Sequence, residues 1–258
     1  EYVFERNIKN IVRNQDSIQK IRVSSSLYEN FLIKKGVIKE KLNLIPIPVN
    51  TKIYFPINEY EIANIKRELK IKADSLVIGS FQKDGIGWSE NAPPKLIKGP
   101  DIFIETLLLI KREIKNITVI LTGASRSYVI KRLKEIGIKY IYLNGDDPKY
   151  RAKLYNILDA YLICSREEGG PKGFLESIAC ETPVITTNVG QIYDIGEDGK
   201  NCFISKSLNP EDIFKKFMEF INLRDKKNMN HNMLITARDN SLIEVVKKWK
   251  EFFSDLDN

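Results

Sequence analysis

The chain has 258 residues, of which 29% are charged and 43% hydrophobic, and its 41 Lys and Arg against 34 Asp and Glu give a formal net charge of +7. These proportions are close to globular averages, so they exclude bulk disorder and fibrous repeats. The basic balance indicates an anionic partner, which is a phosphate, nucleic acid or a membrane surface, without choosing among them.

The cysteine and histidine counts narrow the chemistry further. Three cysteines argue against a disulfide framework and fit a reducing cytosol. A single histidine removes every histidine-rich zinc site and argues against a Ser–His–Asp triad. The sequence shows no apolar run of about 20 residues and no signal-peptide pattern. It opens at Glu1 rather than Met, which indicates a piece of a longer protein.

Short apolar runs predict buried strands along the chain. Most runs are continuous rather than alternating, which is typical of a parallel sheet covered on both faces. The predicted strands are residues 21–23, 42–45, 76–79, 117–121, 140–143, 160–163 and 183–186. Between them, helical spacing of apolar residues predicts helices near 27–35, 102–112, 129–136, 174–179, 210–223 and 241–256. The alternation predicts an α/β fold, a doubly wound Rossmann-like parallel sheet with helices on both faces.

Three segments depart from the regular alternation of strands and helices. Residues 1–55 are predicted to hold two strands around one helix, too little for a complete domain. The Gly- and Pro-rich stretch 83–100 is predicted to be a long irregular loop. The last helix is predicted to begin after an N-cap Ser241 and to carry Ile243, Val246, Trp249 and Phe253 on one face.

The stretch 165–177 follows a buried strand and opens a helix. Gly169 and Gly170 allow a tight backbone turn and leave room for a ligand. Pro171 suits the first turn of a helix, where its missing N–H costs little. The free N–H groups of Lys172 and Gly173 then predict a phosphate site at the helix N-terminus. Ligands of open α/β sheets bind at the carboxyl ends of strands, where this loop lies.

Two carboxylates flank this turn. Glu176 lies one turn inside the helix between apolar neighbours, and a carboxylate there can accept two hydrogen bonds from a sugar diol. Glu168 lies before the turn, on the other side of the same pocket. The plainer alternative is that Glu167, Glu168 and Glu176 are acids favoured by the helix dipole. The order strand, Glu-Glu-Gly-Gly-Pro, helix and Glu favours a binding site.

Glu168 and Glu176, with seven residues between them, resemble the E-x7-E motif of retaining glycosyltransferases with the GT-B fold, specifically family 4, or group 1. Other segments resemble the same family in the same order. They are the linker 45–56, Lys98-Gly99-Pro100-Asp101, 143–145, 154–159, Pro183-Val184-Ile185-Thr186 and 189–201. The likeness covers nearly the whole chain.

This resemblance implies a domain organisation. Residues 1–55 would be a remnant of the N-terminal acceptor domain and the interdomain linker, 56–238 the nucleotide-sugar-binding domain, and 239–258 a C-terminal crossover helix. The chain would then be the donor-binding half of the enzyme, with most of the N-terminal domain missing. It is expected to bind donor but to turn over poorly alone.

The resemblance also implies residue roles on the sugar side. Glu176 would bind the ribose hydroxyls of a nucleotide sugar. Glu168, with the backbone at Gly169 and Gly170, would face the donor sugar and act in catalysis. Because Gly170 and Pro171 replace the family's Phe-Gly, the donor-sugar pocket is expected to differ from the usual one.

On the phosphate side, Lys172 and Gly173 would offer N–H groups to the diphosphate, and Lys98 matches the family's catalytic diphosphate lysine. The family's partner arginine has no strict counterpart, and Lys83 is the nearest candidate. A lysine neutralises phosphate as a point charge but lacks the bidentate geometry of arginine. The base would lie against Tyr142, Leu143 and Asn144. The insertion between residues 83 and 98 would fold over the donor.

The implied reaction is transfer, with retention, from a nucleotide diphosphate sugar of the UDP, GDP or ADP type to an acceptor glycan, lipid or small molecule. No metal and no cofactor is expected. Two alternatives stay open, another GT-B enzyme (a synthase or a sugar-nucleotide epimerase) and a non-catalytic nucleotide-binding module. Nucleic-acid binding rests only on the net charge and is not expected. The expected location is the cytoplasm, with the inner face of the membrane as a further option. The lysines that could touch anionic lipid heads are expected first of all to be solvated helix faces, and they are Lys226, Lys227, Lys247, Lys248 and Lys250.

Overall fold

The computed structural model describes residues 2–87, 92–145 and 147–254, with side chains from residue 7 onward. The N-terminal part consists of α1 (Tyr2–Asn14), β1 (Ile21–Val23), α2 (Ser26–Lys34) and β2 (Leu42–Leu44). The two strands pair in parallel, with Ile21 opposite Leu42. The Ser25 hydroxyl caps α2 by accepting from the Tyr28 N–H at 3.3 Å. We call residues 7–45 the N-terminal segment.

Helix α1 corrects the prediction of a single helix before residue 55. Its Ile8 is buried, whereas Ile11 and Val12 are only half-buried. These residues recur at helical spacing among charged neighbours, and they pack on a small core shared with α2 and β2. A short amphipathic pattern of this kind acquires a helix from tertiary packing rather than from propensity.

The central sheet holds six parallel strands within the described residues. They are β3 (Leu76–Ser80), β4 (Ile117–Thr122), β5 (Lys139–Leu143), β6 (Ala160–Ile163), β7 (Val184–Thr187) and β8 (Phe203–Ser205), in the order β5-β4-β3-β6-β7-β8. This confirms the predicted α/β class. Strand β8 was not predicted, because its three residues are too short for a recognisable apolar run.

Helices cover this sheet on both faces, as the class requires. They are α3 (Glu59–Glu68), α4 (Pro100–Glu113), α5 (Ser127–Glu135), α6 (Pro148–Asn156), α7 (Lys172–Ala179), α8 (Ile192–Ile195), α9 (Pro210–Ile221), α10 (Lys226–Asp239) and α11 (Leu242–Ser254). Helix α4 packs against α5 and α9, and α7 packs against α6 and α10. Strands β4 and β6 are buried along their whole length, which explains their continuous apolar sequences.

The strand order reverses between β3 and β6. From β3 the chain moves outward through β4 to β5, returns to place β6 on the other side of β3, and continues to β7 and β8. The crossovers after β3 and after β6 therefore lie on opposite faces of the sheet, because parallel crossovers are right-handed. A crevice opens at the carboxyl ends of β3 and β6, which is where such folds bind ligands.

Two expectations need correction or limits. The stretch 83–100 is more ordered than a long loop, since Gly85 bridges to Pro94 and residues Leu96–Lys98 form a 3-10 turn. Its centre, residues 88–91, lies outside the described residues. That the insertion folds over the donor therefore stays a prediction. In α11 the apolar face predicted from the sequence is not the side of the helix that is buried. Val245 is the buried residue, while Ile243 is 62% and Phe253 55% exposed.

The position of α11 follows from its first turn. Val49 pairs with Ser241 in a short bridge, and the Leu242 N–H donates to the Val49 carbonyl at 2.8 Å. Further along, the Trp249 ring lies 5.9 Å from the Arg22 guanidinium of β1. The helix thus reaches from the sheet domain to the N-terminal segment, and this geometry, not the sequence stripe, decides which side chains are covered.

Candidate functional site

The crevice between β3 and β6 brings together the two residues predicted to be catalytic. The Lys98 ammonium lies 2.5 Å from Glu168 Oε1, and the side chains are 24% and 11% exposed. The Ser165 hydroxyl donates to the same carboxylate oxygen at 3.0 Å. Residues 70 positions apart in the chain therefore form one ion pair at the carboxyl edge of the sheet. The pair is partly shielded from solvent, so its attraction exceeds that of an exposed surface pair.

The backbone around Lys98 is fixed by its approach to the β6–α7 connection. Gly99 has φ +62°, and a Cβ at this residue would lie 1.8 Å from the Cys164 carbonyl oxygen, so only glycine fits. The Arg166 guanidinium binds the Asp101 carboxylate through two hydrogen bonds of 2.8 and 2.6 Å. This bidentate pair lowers the pKa of Asp101 and joins the start of α4 to the loop that carries Glu168.

Gln82 is a third member of this cluster. Its side-chain amide donates to the Lys98 carbonyl at 2.8 Å, and its Oε1 accepts from the Ser165 hydroxyl at 3.3 Å. It thereby connects the segment after β3 with both sides of the Lys98–Glu168 pair.

Glu176 is buried one turn inside α7, as its apolar flanks predict, and is only 8% exposed. Its Oε2 accepts a hydrogen bond from the Tyr155 hydroxyl at 3.0 Å, and its Oε1 lies 3.9 Å from the Arg151 guanidinium. Tyr54 of the linker packs at the same place, with its ring centroid 6.0 Å from that of Tyr155. Burial, reinforced by the Glu176 charge, raises the pKa of both tyrosines, so both stay protonated hydrogen-bond donors.

The N-terminus of α7 has the form expected of an anion site. Lys172 is its first residue and is exposed, and Gly173 is half-buried. No described residue accepts a hydrogen bond from the N–H of Lys172 or of Gly173. Pro171 caps the helix without a side-chain hydrogen bond, so nothing from the described chain occupies the positive end of the dipole.

Lys83, the predicted substitute for the family's arginine, lies in the segment after β3, which a buried arginine also contacts. Lys83 is half-buried and has an interaction partner. Below it, Arg126 reaches the segment after β3 from the end of β4 and binds the Gln82 carbonyl and the Ser80 hydroxyl, the latter at 3.1 Å. Arg126 therefore brings an arginine next to Lys83, the position where the family's arginine was expected. Its side chain, however, has no exposed surface.

Arg126 is paired with Asp84. Its Nε lies 2.7 Å from Asp84 Oδ2, a close ion pair whose angles fall outside those of a hydrogen bond. Burial is the larger effect on both groups. It lowers the pKa of Arg126 and raises that of Asp84 to about 6 in spite of the opposite charge. Asp84 Oδ1 has no hydrogen-bond partner among the described residues, which is consistent with a carboxyl that readily takes up a proton.

The residues predicted to hold the base lie apart from this cluster. Tyr142 and Leu143 are half-buried at the end of β5, and Asn144 is exposed just beyond it. The Tyr142 hydroxyl donates to the Gly123 carbonyl at 3.0 Å. Three strand spacings separate β5 from β6, a span of about 14 Å. The predicted site residues therefore extend along one edge of the sheet.

Several residues of this edge were missed by sequence reasoning. Arg151 and Tyr155 stand four positions apart on α6, so both face Glu176, and that spacing was the available signal. Gln82, Asp84 and Arg126 had no such signal, because their contacts depend on how the ends of β3 and β4 meet.

Comparisons with known proteins identify the family of the chain. Residues 93–239 match the family model for glycosyl transferases group 1, more than half of the chain. The chain belongs to that family. The matched range contains Lys98, Glu168 and Glu176.

Relatives and solved structures extend the comparison. The alpha-galactosylglucosyldiacylglycerol synthase of Streptococcus pneumoniae is 23% identical over 90% of this chain, which spans 59% of that enzyme. An uncharacterized glycosyltransferase of Methanocaldococcus jannaschii is 36% identical over 28% of this chain and 20% of its own length. The Anabaena protein HepE, solved with UDP-glucose, has a TM-score of 0.82 at 17% identity, over 97% of this chain and 68% of that one. At this identity the structural likeness shows the GT-B-type fold alone.

The described residues form neither a metal-binding cluster nor a membrane-spanning helix. Within residues 2–87, 92–145 and 147–254, no group of three His, Cys, Asp or Glu side chains stands close enough to hold a metal ion. None of the helices in the same ranges has the length and apolar character needed to span a bilayer.

Proposed function

We propose that this chain is the donor-binding half of a glycosyltransferase that moves a sugar from a nucleotide diphosphate sugar to an acceptor with retention of configuration. The observation that carries the proposal is the convergence at one crevice of the Lys98–Glu168 pair and the α7 N-terminus, whose first N–H groups have no acceptor among the described residues. Glu176 is buried one turn behind. Family membership supports the same reaction class.

Each part of the crevice suits one part of the donor. The Glu176 carboxylate presents acceptor oxygens for two ribose hydroxyls, and Tyr155 holds it in place. The N–H groups of Lys172 and Gly173 receive the diphosphate at the positive end of the helix dipole. Tyr142, Leu143 and Asn144 form the wall for the base farther along the edge.

The chemistry required is stabilisation of the charge that develops on the leaving diphosphate. Lys98 and the α7 N-terminus supply it electrostatically from fixed positions. Since Lys98 already holds Glu168, the bound diphosphate shares the ammonium with that carboxylate. Glu168, with the Gly169 and Gly170 backbone, then faces the sugar. The proposal needs no metal and no cofactor.

The proposed reaction also requires an acceptor for the sugar. The acceptor is a glycan, a lipid or a small molecule, and the name of the Streptococcus relative makes a diacylglycerol lipid the first to test. The acceptor side requires the rest of the N-terminal domain, so the chain alone binds donor and turns over poorly. We place the reaction in the cytoplasm, at the inner membrane face if the acceptor is a lipid.

The experiment is a thermal-shift panel with UDP, GDP, ADP and their sugars, on the wild type, Glu176→Ala and Glu176→Gln. We expect one nucleotide series to stabilise the wild type. The Gln variant still accepts from Tyr155 but loses the charge, so its affinity is expected to fall about 10-fold or more.

Glu181→Gln is the matched control, because Glu181 follows the same helix and its carboxylate accepts from Asn230 at 3.0 Å, away from the crevice. It should respond like the wild type. If no nucleotide stabilises the wild type, the proposed function is wrong. If both Glu176 variants respond to the nucleotide as strongly as the wild type does, Glu176 does not bind the ribose.

A further inference from the structure

The Gly169–Gly170 turn is enclosed by residues from the N-terminal segment and the linker. The Ser24 hydroxyl, from a residue only 7% exposed, donates to the Gly169 carbonyl at 2.7 Å. A Cβ on Gly170 would lie 2.9 Å from Ile47 Cδ1 and 3.1 Å from Gln191 Oε1. The space that glycine leaves at Gly170 is therefore taken by protein side chains. This corrects the expectation that both glycines make room for a ligand.

Gln191 closes the turn from the other side. It is fully buried, and its Oε1 accepts a hydrogen bond from the Ile47 N–H at 2.9 Å. Its Nε2 has no hydrogen-bond partner among the described residues. The preceding Gly190, at φ +53°, packs so closely that a Cβ there would lie 2.7 Å from the Glu168 carbonyl oxygen. Gln191 thus joins the linker to the turn.

A second contact joins the N-terminal segment to the sheet domain three residues after Gln191. Asp194 of α8 accepts from the Ser26 N–H at 2.9 Å and from the Ser26 hydroxyl. The N-terminal segment is therefore attached to the sheet domain through both Ser24 and Ser26.

The Ser24 hydrogen bond has a directional consequence. In a planar trans peptide the C=O and N–H of one unit point in opposite directions. With the Gly169 carbonyl held toward Ser24, the Gly170 N–H of the same unit points away from the N-terminal segment. No described residue accepts a hydrogen bond from that N–H. Two consecutive glycines would otherwise sample many orientations of this peptide.

We propose that Ser24 and Gln191 are positioning residues for the donor sugar, which hold the Gly169–Gly170 turn so that the Gly170 N–H donates to a sugar oxygen. This inference rests on the proposed function and deepens it. It makes the donor-sugar subsite a joint product of the N-terminal segment and the sheet domain. The nucleotide subsite, at Glu176 and the α7 N-terminus, does not depend on Ser24.

The test separates the sugar from the nucleotide. Isothermal titration calorimetry compares UDP with UDP-glucose, or the corresponding pair from whichever series stabilises the wild type, on wild type, Ser24→Ala and Gln191→Met. We expect Ser24→Ala to weaken nucleotide-sugar binding about 5- to 10-fold and nucleotide binding less than about 2-fold. Gln191→Met, which removes the acceptor for the Ile47 N–H at similar volume, should show the same selective loss.

Ser207→Ala is the matched control, since its hydroxyl donates to Asp212 at 2.6 Å on the exposed surface of the sheet domain. Ser24→Thr, which keeps the hydroxyl, should restore most of the nucleotide-sugar affinity. Unchanged nucleotide-sugar binding in Ser24→Ala, or an equal loss for nucleotide and nucleotide sugar, would overturn the inference. A wild type that binds no nucleotide sugar would instead refute the proposed function on which it rests.

Discussion

The N-terminal segment and the sheet domain show how differently two parts of one chain are stabilised. In the sheet domain, strands buried on both faces share one continuous core with helices on either side. The N-terminal segment has two three-residue strands and a small core, which in the described residues consists of Ile8, Val23, Leu32, Val37 and Leu42. An isolated two-stranded unit of this size is marginally stable in water.

The N-terminal segment depends on its attachment to the sheet domain. The contacts of Ser24, Ser26 and Ile47 with the 169–194 region hold it on the sheet domain, and Trp249 of α11 covers Arg22 from the other side. These same contacts border the proposed donor-sugar subsite. A weakly stable element therefore forms part of a site whose other residues lie on a rigid sheet.

The largest expected effect is in the sheet domain. Leu107 of α4 is fully buried, and Leu107→Ala should lower the free energy of unfolding by about 3–5 kcal/mol, because the packed surroundings collapse little around the cavity. Urea denaturation followed by circular dichroism measures the loss. A single transition shifted as a whole is expected, and a loss below about 1 kcal/mol would show that this core is loosely packed.

The same deletion in the N-terminal segment should have a smaller and more local effect. Leu32 of α2 is 1% exposed, and Leu32→Ala should cost about 2–3 kcal/mol. Because this core is small, amide hydrogen exchange should rise in residues 7–45 and stay unchanged in β3, β4 and β6. An equal rise in exchange throughout the sheet would mean that the two regions unfold as one unit.

The Asp84–Arg126 pair is a charged contact buried in the sheet domain. Burial raises the pKa of Asp84 to about 6, above its unfolded value, so the native state binds a proton that the unfolded state releases between those values. Stability from this group therefore increases as the pH falls through 6. Between pH 7.5 and 5 the wild type should gain about 1–1.5 kcal/mol relative to Asp84→Asn, which does not titrate.

Urea midpoints of both proteins at several pH values measure this difference. Parallel profiles would show that Asp84 has an ordinary pKa and that the Arg126 charge offsets its burial.

Much of the sheet domain could be predicted from the sequence because its signals are local. Continuous apolar runs give β4 and β6, and the glycines, proline and flanking glutamates near residue 170 mark a loop that opens a helix. Weaker or absent local signals led to the errors. Helix α1 acquires its order from packing on a small core, β8 has three residues, and α11 is oriented by the Val49–Ser241 bridge rather than by its own apolar stripe.

The sequence alone was enough to predict the fold class, the order of the motifs and the residue types of the proposed site, because spacing within one strand or helix is set by local geometry. Only the tertiary structure decided that Lys98 meets Glu168, that Tyr155 and Arg151 hold Glu176, and that Ser24 reaches Gly169. These contacts join residues far apart in the chain, and they form because the carboxyl ends of β3 and β6 and the N-terminal segment meet at one edge. No periodicity in a single segment records such a meeting.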